Sequence, residues 1–357
     1  MHNFRLFETL TGDPVEDVTI PEPYLGEWDT RLSGRGNGKH GFPLYGSGIS
    51  RSLIRDISRG NKYTLAHLWG SDLVVYAGVI MRRRYIRRTH ALELTTQELR
   101  AAYLNDRMLY GVPMYVPGGT VLTVTNRSHS GAVRAALTAV FANGPGWGLP
   151  IDLPADGSGS FSATWAHGER LKLEDHIAQI EQDGCEVFFR PYINGSDQLR
   201  YETVVQTKVQ FGTTTTLDAD GPDSPVLDLV TEDDYAREMT GLLGFGKGGL
   251  SAPTAWAGDI STAGISVRDT WRTYPDLEGG RLQNAVNTDF DVTKEPTEQW
   301  SFGVRIHPDG PATVLPGRKL SLEISDDPFI LDGPHALRVI GLRGNLGYTV
   351  IPEVQYG

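Results

Sequence analysis

Five arginines within seven positions form the densest cluster of basic side chains in the sequence. They follow two β-branched runs, Leu73–Tyr76 and Gly78–Ile80, and they are Arg82, Arg83, Arg84, Arg87 and Arg88. Guanidinium groups bind nucleic-acid phosphates or acidic protein surfaces. No ladder of aromatic residues accompanies them, and 33 basic against 44 acidic side chains give a net charge of −11. The sequence therefore argues against stable nucleic-acid binding and predicts a charged strand that faces solvent or an acidic neighbouring subunit.

Two glycine-rich segments come close to nucleotide-binding motifs. The segment 34–41, GRGNGKHG, contains the dinucleotide pattern G-x-G-x-x-G, but no buried strand precedes it and Pro43 follows where a helix would open. The segment 241–248, GLLGFGKG, resembles a phosphate-binding loop, yet Gly248 stands where Ser or Thr must reach magnesium. We therefore expect both segments to be loops between strands, and we expect no cofactor.

Clustered acidic residues raise the question of a metal site or a glycosidase. The segment 218–223, DADGPD, resembles a calcium loop, but Pro222 and Leu229 occupy positions that need oxygen ligands. Pro and Gly separate the acids of a second cluster as they do in consecutive turns. That cluster is Asp326, Asp327 and Asp332. We expect surface turns at both places and no metal.

No arrangement of nucleophile and base stands out. The chain lacks G-x-S-x-G and H-E-x-x-H, and its nine histidines never recur at i, i+2 or i, i+4. The single cysteine, Cys185, excludes a disulfide framework within one chain and reads as a small buried hydrophobe. Carbohydrate stacking on Trp147, Trp165 or Trp300 is an alternative to placing these side chains in the core. The sequence predicts no catalytic residue and no enzyme activity.

The elements that must position these residues are mainly short strands. The 42 glycines and 21 prolines among 357 residues indicate many turns, and the length suits two or three domains. Helical periodicity marks a stretch that begins at Thr95 and ends at Gly111-Val-Pro113, residues 130–141, and residues 173–180. Ser50–Ile57 suits either a short helix or a twisted strand. Thr213–Pro225 reads as a polar connection. The predicted class is β-rich α+β, with a first β domain over 1–110, an α/β middle region over 111–205 and a second β domain over 206–357.

The N-terminus and the hydropathy pattern bear on location. Residues 1–17 lack a basic segment followed by an apolar core, which is the pattern of a signal peptide. No run approaches the roughly 20 apolar residues of a membrane span. We expect synthesis in the cytoplasm and no membrane insertion.

Short stretches along the chain are similar to one family of viral proteins. They are Val18–Glu22 with Gly26–Trp28, similar to its opening arm; Val75–Ile80, similar to its strand pair before a basic stretch; Val187–Tyr192, similar to its helix–strand unit; and Asp326–Gly333 with Leu337–Gly341, similar to its C-terminal signature. On these residues the chain resembles the minor tail proteins of long-tailed actinobacterial phages, in particular the tail or baseplate hub proteins.

The resemblance implies a structural virion protein at the tail tip. It implies a homotrimeric ring, in which each chain carries two tube-like β-barrel or sandwich domains, so that three chains meet a six-fold tail ring with pseudo-six-fold symmetry. The expected partners are the distal tail protein, the tape measure protein and the tail-tip proteins. Two alternatives stay open: a distal tail protein that forms a hexameric ring, and a tail component that binds host-envelope carbohydrate.

Overall fold

A computed structural model describes residues 2–16, 18, 20–105, 107, 122–144, 146–166, 172–236, 238–248, 254–258, 266–275, 277–294, 297–306 and 310–356. Strands make up 48% and helices 17% of the described residues, which confirms the predicted β-rich α+β class. The chain divides into two compact units. Unit 1 comprises residues 1–228 and 302–357, and unit 2 comprises residues 229–301.

The described strands are, in chain order, β1 (His2–Glu8), β2 (Leu25–Arg31), β3 (Asn37–Pro43), β4 (Tyr63–Trp69), β5 (Leu73–Ile86), β6 (Ala91–Glu98), β7 (Leu122–Arg127), β8 (Ile151–Asp152), β9 (Phe161–Trp165), β10 (Glu186–Ile193), β11 (Leu199–Gln206), β12 (Phe211–Asp218), β13 (Val226–Asp234), β14 (Gly241–Phe245), β15 (Thr254–Gly258), β16 (Asp269–Thr273), β17 (Thr297–Arg305), β18 (Arg318–Ile324), β19 (Gly333–Gly344) and β20 (Thr349–Tyr356). The α-helices are α1 (Arg51–Ile57), α2 (His129–Phe141), α3 (Leu173–Glu181) and α4 (Gly279–Thr293). A π-helical turn spans Arg100–Leu104 and a 3₁₀ turn spans Pro311–Thr313.

One large sheet joins the two ends of the chain. Its strands run in the order β1-β4-β5-β6-β3-β2-β19-β20-β17-β13, and β18 attaches β12 to β19. At the junction β2 pairs antiparallel with β19, with Arg31 opposite Gly341. The C-terminal strands therefore continue the sheet that the N-terminal strands begin.

The N-terminal part of this sheet is buried on both faces. One face carries α1 and shares a core with Phe42, Leu65 and Ile80. On the other face Leu68 and Val79 belong to a second core, which also contains apolar residues of α2, α3 and β10, namely Leu137, Ile177 and Val187. Two-sided burial explains why β4 and the first half of β5 are buried at consecutive positions and not at every second one.

Unit 2 is a small sheet covered by a helix. Its strands run in the order β15-β14-β16. Leu242 and Ala255 on one face of the sheet share a core with Leu282, Val286 and Phe290 of α4. The helix lies close to β14 because Gly244 has no side chain.

Several predicted elements are confirmed with their local causes. Helices over 130–141 and 173–180 are present as α2 and α3. The hydroxyl of Ser128 accepts from the Gly131 amide at 3.0 Å and fixes the start of α2. The predicted strand Glu186–Ile193 is β10, and it pairs with β11 across a turn in which Asn194 Oδ1 accepts from the Gln198 amide at 2.9 Å.

The helix predicted from Thr95 is wrong. Residues Ala91–Glu98 form strand β6, which pairs with β3 on one edge and with β5 on the other. In the described part of this stretch a helical turn covers Arg100–Leu104, and the predicted end at 111–113 lies outside the described residues. Thr95 and Thr96 are β-branched, and pairing on both edges outweighs a local 3.6-residue period.

Three segments predicted to be loops or connections contain strands. Strand β3 overlaps segment 34–41, β12 overlaps 213–225, and β14 overlaps 241–248. In β3 a Cβ on Gly38 would lie 2.6 Å from Nε2 of His40, and one on Gly41 would lie 2.5 Å from the ring of Tyr24. The glycines therefore make room for neighbouring rings within a paired strand.

The two acidic segments form turns, as predicted. Oδ1 of Asp218 accepts from the amides of Asp220 and Gly221 at 3.0 and 3.2 Å. Oδ1 of Asp327 accepts from the amides of Phe329 and Ile330 at 2.8 and 2.7 Å, and these bonds lower its pKa. The carboxylates of Asp218 and Asp327 therefore accept hydrogen bonds from backbone amides of their own turns.

Candidate subunit interface at the arginine hairpin

The structure places all five predicted arginines on one hairpin, formed by β5, β6 and the turn between them. Strand β5 bulges between Ile80 and Arg82. Before the bulge it pairs with both β4 and β6, but its register with β4 ends at Val79. Beyond the bulge Arg82–Ile86 pairs with β6 alone. The arginine-bearing end of β5 therefore has a strand on one side only among the described residues.

Two of the five arginines are engaged by their own chain. Nη1 of Arg83 donates to the carbonyl of Arg55 at 2.7 Å and to the hydroxyl of Ser58 at 3.1 Å, both at the end of α1. Nη1 of Arg84 lies 3.5 Å from Oε2 of Glu93 on β6. Arg83 therefore holds the helix against the hairpin, and Arg84 is partly neutralised.

The other three arginines extend into solvent. Arg82 lies on the strand, and Arg87 and Arg88 lie in the turn that follows it. All three are exposed, and none makes a side-chain hydrogen bond or ion pair with another residue of the described ranges. They form a basic surface at an open strand edge, which we call the arginine edge: Arg82, Arg87 and Arg88.

A groove of about 750 Å³ lies between the hairpin, α1 and the segment before α1. Its polar lining includes Arg51, Arg55 and Arg83. Tyr45 is 85% exposed, and the hydroxyl of Tyr85 is 3.0 Å from Nδ1 of His90. Tyr45 and Tyr85 therefore lie beside the positive charge of the hairpin. The sequence does not reveal this pair of rings, because the two tyrosines are 40 positions apart in the chain.

Side-chain hydrogen bonds hold helix α1, one wall of the groove, near both of its ends. The Ser50 hydroxyl accepts from the Leu53 amide at 3.2 Å. Near the other end, Asp56 accepts from Nζ of Lys62 at 3.0 Å and from the hydroxyl of Tyr63 at 2.8 Å. These bonds lower the pKa of Asp56.

Behind the hairpin, charged groups are buried where β6 ends. Glu98 accepts from the Thr30 hydroxyl at 2.6 Å and from the Gly36 amide at 2.7 Å, and burial raises its pKa to about 7. Two residues later Arg100 enters a buried ionic network with Glu174 and Glu181 of α3. This network joins the end of β6 to helix α3.

The three tryptophans proposed for carbohydrate stacking do not form an exposed site. Trp165 and Trp300 are only 2% and 5% exposed, and Trp147 is half-buried against the core of unit 1. The exposed indoles are Trp256 and Trp271, both in unit 2. Their sequence signal is a tryptophan between polar or small neighbours in a short strand, as in DTWRT.

The structure gives no support for a reactive thiol or for a metal centre among the described residues. Cys185 is buried, and burial raises the pKa of its thiol to about 12, which keeps it protonated. Within the described ranges no group of three or more His, Cys, Asp or Glu side chains has an arrangement that could hold a metal ion. Across the same ranges, no helix has the length and hydropathy of a membrane span.

Comparison with known proteins gives matches in structure. Neither a protein-family model nor a curated protein matches the chain. A tail protein of Neisseria meningitidis MC58 matches with a TM-score of 0.62 at 13% identity, over 99% of this chain and 97% of that one. The 43 kDa tail protein of prophage MuSo2 from Shewanella oneidensis matches with a TM-score of 0.62 at 9% identity, over 99% and 98%.

The chain has the fold of phage tail proteins. A third match is a component of the E. coli type VI secretion system, with a TM-score of 0.54 at 9% identity over 99% of this chain and 77% of that one. That component is itself described as structurally similar to the bacteriophage T4 tail proteins gp27 and gp5. The tail-protein fold therefore extends over both units of the chain.

Proposed function

We propose that this chain is a structural tail protein of a phage virion, and that it forms the hub ring at the distal end of the tail tube. The observation that carries the proposal is the near full-length match to two prophage or bacterial tail proteins, which covers 97% and 98% of those chains. A match over entire chains argues for the same kind of assembly role, without turnover. The location is then the tail tip of the virion.

A second observation supports the proposal that the chain is a hub protein and forms a trimer. The secretion-system component that shares this fold is described as similar to two T4 tail proteins. The strands of the large sheet also fall into two groups. Strands β1–β6 come from residues 2–98, while β12, β13 and β17–β20 come from residues 211–356. This grouping supports two tube-like domains per chain, which flank the α/β region and let three chains match a six-fold ring.

The arginine edge is the proposed contact between copies in that ring. A ring interface is heterologous, so each copy must offer two different, complementary surfaces. Strand β13 ends the order of the large sheet and exposes Asp228, Glu232 and Asp233. In this proposal the arginine edge of one copy faces the acidic β13 of the next, and charge complementarity fixes the register.

Mass photometry and negative-stain imaging of the purified protein test the proposal. We expect a three-fold ring. In that case the expected neighbours along the tail axis are the distal tail protein, the tape measure protein and the tail-tip proteins. A six-fold ring of this chain alone would assign it instead to the distal tail ring. A monomer at all concentrations that remains absent from virions contradicts both assignments.

A further inference from the structure

Unit 2 carries an exposed apolar row that the tail-hub proposal does not use. Leu243 on β14 pairs with Trp256 on β15 and with Trp271 on β16, so the three side chains stand side by side across the sheet. The indoles of Trp256 and Trp271 are 67% and 60% exposed, and Leu243 is 37% exposed. A contiguous apolar row on an otherwise polar surface marks a binding site.

The rows on either side of the indoles complete a flat surface, which we call the indole face. The nine positions of the indole face are Thr254, Phe245 and Thr273, then Trp256, Leu243 and Trp271, then Gly258, Gly241 and Asp269. Helix α4 packs on the alternate positions of the same strands, so these nine lie on the opposite side of the sheet. On this face the rings of Phe245 and Trp271 meet edge to face, with centroids 6.0 Å apart.

We propose that the indole face binds a neutral glycan chain, with Trp256 and Trp271 each stacking on one sugar ring. The face of an indole carries negative charge density, which attracts the slightly positive C–H groups on the apolar side of a pyranose. Strands about 4.8 Å apart place the backbones of the two tryptophans roughly 10 Å from each other. This spacing lets two rings lie side by side, with Leu243 beneath the bond that joins them.

Residues at the border of the indole face can form hydrogen bonds with sugar hydroxyls. Thr254 and Thr273 are exposed and offer hydroxyl groups that both donate and accept. At the other border Asp269 accepts from the hydroxyl of Thr240 at 3.1 Å, which holds the carboxylate in place beside the indole row. A combination of ring faces and fixed oxygen atoms recognises a sugar better than a purely apolar ligand.

The size and charge of the surface favour a glycan over a protein partner. A tryptophan buries about 250 Å² at most. At the observed 67% and 60% exposure the two indoles therefore offer roughly 300 Å². A stable protein interface buries about 800 Å² on each partner. Only one of the nine positions, Asp269, is charged, which is too little to direct a protein by charge.

Affinity electrophoresis of the full chain tests this proposal, in native gels that contain dextran, mannan, galactan or arabinogalactan. We expect at least one polysaccharide to retard the wild-type protein. Trp256→Ala and Trp271→Ala should each weaken the apparent affinity by about tenfold, because each removes one stacked ring. Phe329→Ala is the matched control, since Phe329 is a 79% exposed aromatic residue in unit 1, and it should leave retardation unchanged.

Two results would overturn the proposal. One is the absence of retardation by every polysaccharide in the panel, and the other is retardation that the Trp256→Ala/Trp271→Ala double variant retains. If the double variant instead loses a complex with another tail protein, the indole face is a protein-docking surface and the glycan proposal is wrong. Gel retardation needs no ring, so this outcome is separate from the test of the hub assignment.

Discussion

Arg100 and Glu174 form a bidentate ion pair in the interior of unit 1, with Nε–Oε2 and Nη2–Oε1 distances of 2.9 Å each. The side chains are 4% and 8% exposed. Arg100 also donates to Glu181 and to the carbonyl of Val187 at 2.9 Å, so its donors are directed at α3 and β10. The pair therefore connects the end of the arginine hairpin to the α/β region.

Removing Arg100 should be strongly destabilising. We expect Arg100→Met to lower the free energy of unfolding of unit 1 by about 3–5 kcal/mol, because it removes the buried partner of Glu174 and leaves only an exposed arginine beside that carboxylate. Urea titration followed by circular dichroism measures this change. Arg35→Met is the control: Arg35 also reaches Glu174, at 3.1 Å, but its side chain is 65% exposed. A loss above about 1 kcal/mol in the control would contradict this account of burial.

Glu98 should make the protein less stable as pH rises through neutrality. Its pKa is raised to about 7 from an ordinary 4.5, so between these values the folded state binds more protons than the unfolded state. The stabilisation is complete below about pH 4.5 and is lost as pH rises through about 7. Glu98→Gln should flatten this part of the curve of unfolding free energy against pH, whereas the exposed Glu22→Gln should not change it.

His40 should act in the opposite direction at lower pH. It is buried beside the ring of Phe4, and burial lowers its pKa to about 4 from an ordinary 6.5. The unfolded state then binds more protons in this window, so stability falls as pH drops from about 6.5 to about 4. His40→Leu should reduce that loss in acid-denaturation curves. An unchanged acid limb would show that another group, such as the buried His67, carries it.

The arginine edge should control assembly without controlling folding. We expect reversing the charge of Arg82, Arg87 and Arg88 to glutamate to raise the concentration needed for ring formation by tenfold or more, on the order of 1.4 kcal/mol per interface. Mass photometry over a concentration series measures this shift, and circular dichroism checks the fold. Arg343→Glu is the control for an exposed strand arginine elsewhere. Equal assembly of the triple variant and wild type would contradict the proposed interface.

Arg83→Glu tests a different property of the same hairpin. Arg83 donates to the carbonyl of Arg55 and to Ser58, so its reversal should loosen α1 rather than the contact between copies. Hydrogen exchange of the α1 amides should then increase in the monomer. Protection of α1 that matches wild type would show that these two hydrogen bonds contribute little.

Much of the local structure follows from sequence pattern. The caps and apolar spacing of α2 and α3 act within a few residues, and so do the Asp turns at 218–221 and 327–330, which is why the sequence predicts them. The strand at Thr95 is different, because its pairing with β3 and β5 comes from residues that are distant in sequence. The glycines of β3 predict a loop for a similar reason. They are needed because the rings of His40 and Tyr24 lie against them, and these contacts appear only in the folded structure.

By itself the sequence determined the β-rich α+β class and the position of the arginine cluster, and it indicated that the chain resembles phage tail proteins. Only the tertiary structure decided that β19 pairs with β2, that three of the five arginines are exposed at an open strand edge, and that Trp256 and Trp271 rather than Trp165 and Trp300 face solvent. The physical reason is that exposure and edge position depend on which strands and helices cover a residue. Those neighbours are set by contacts between segments that are far apart in the chain.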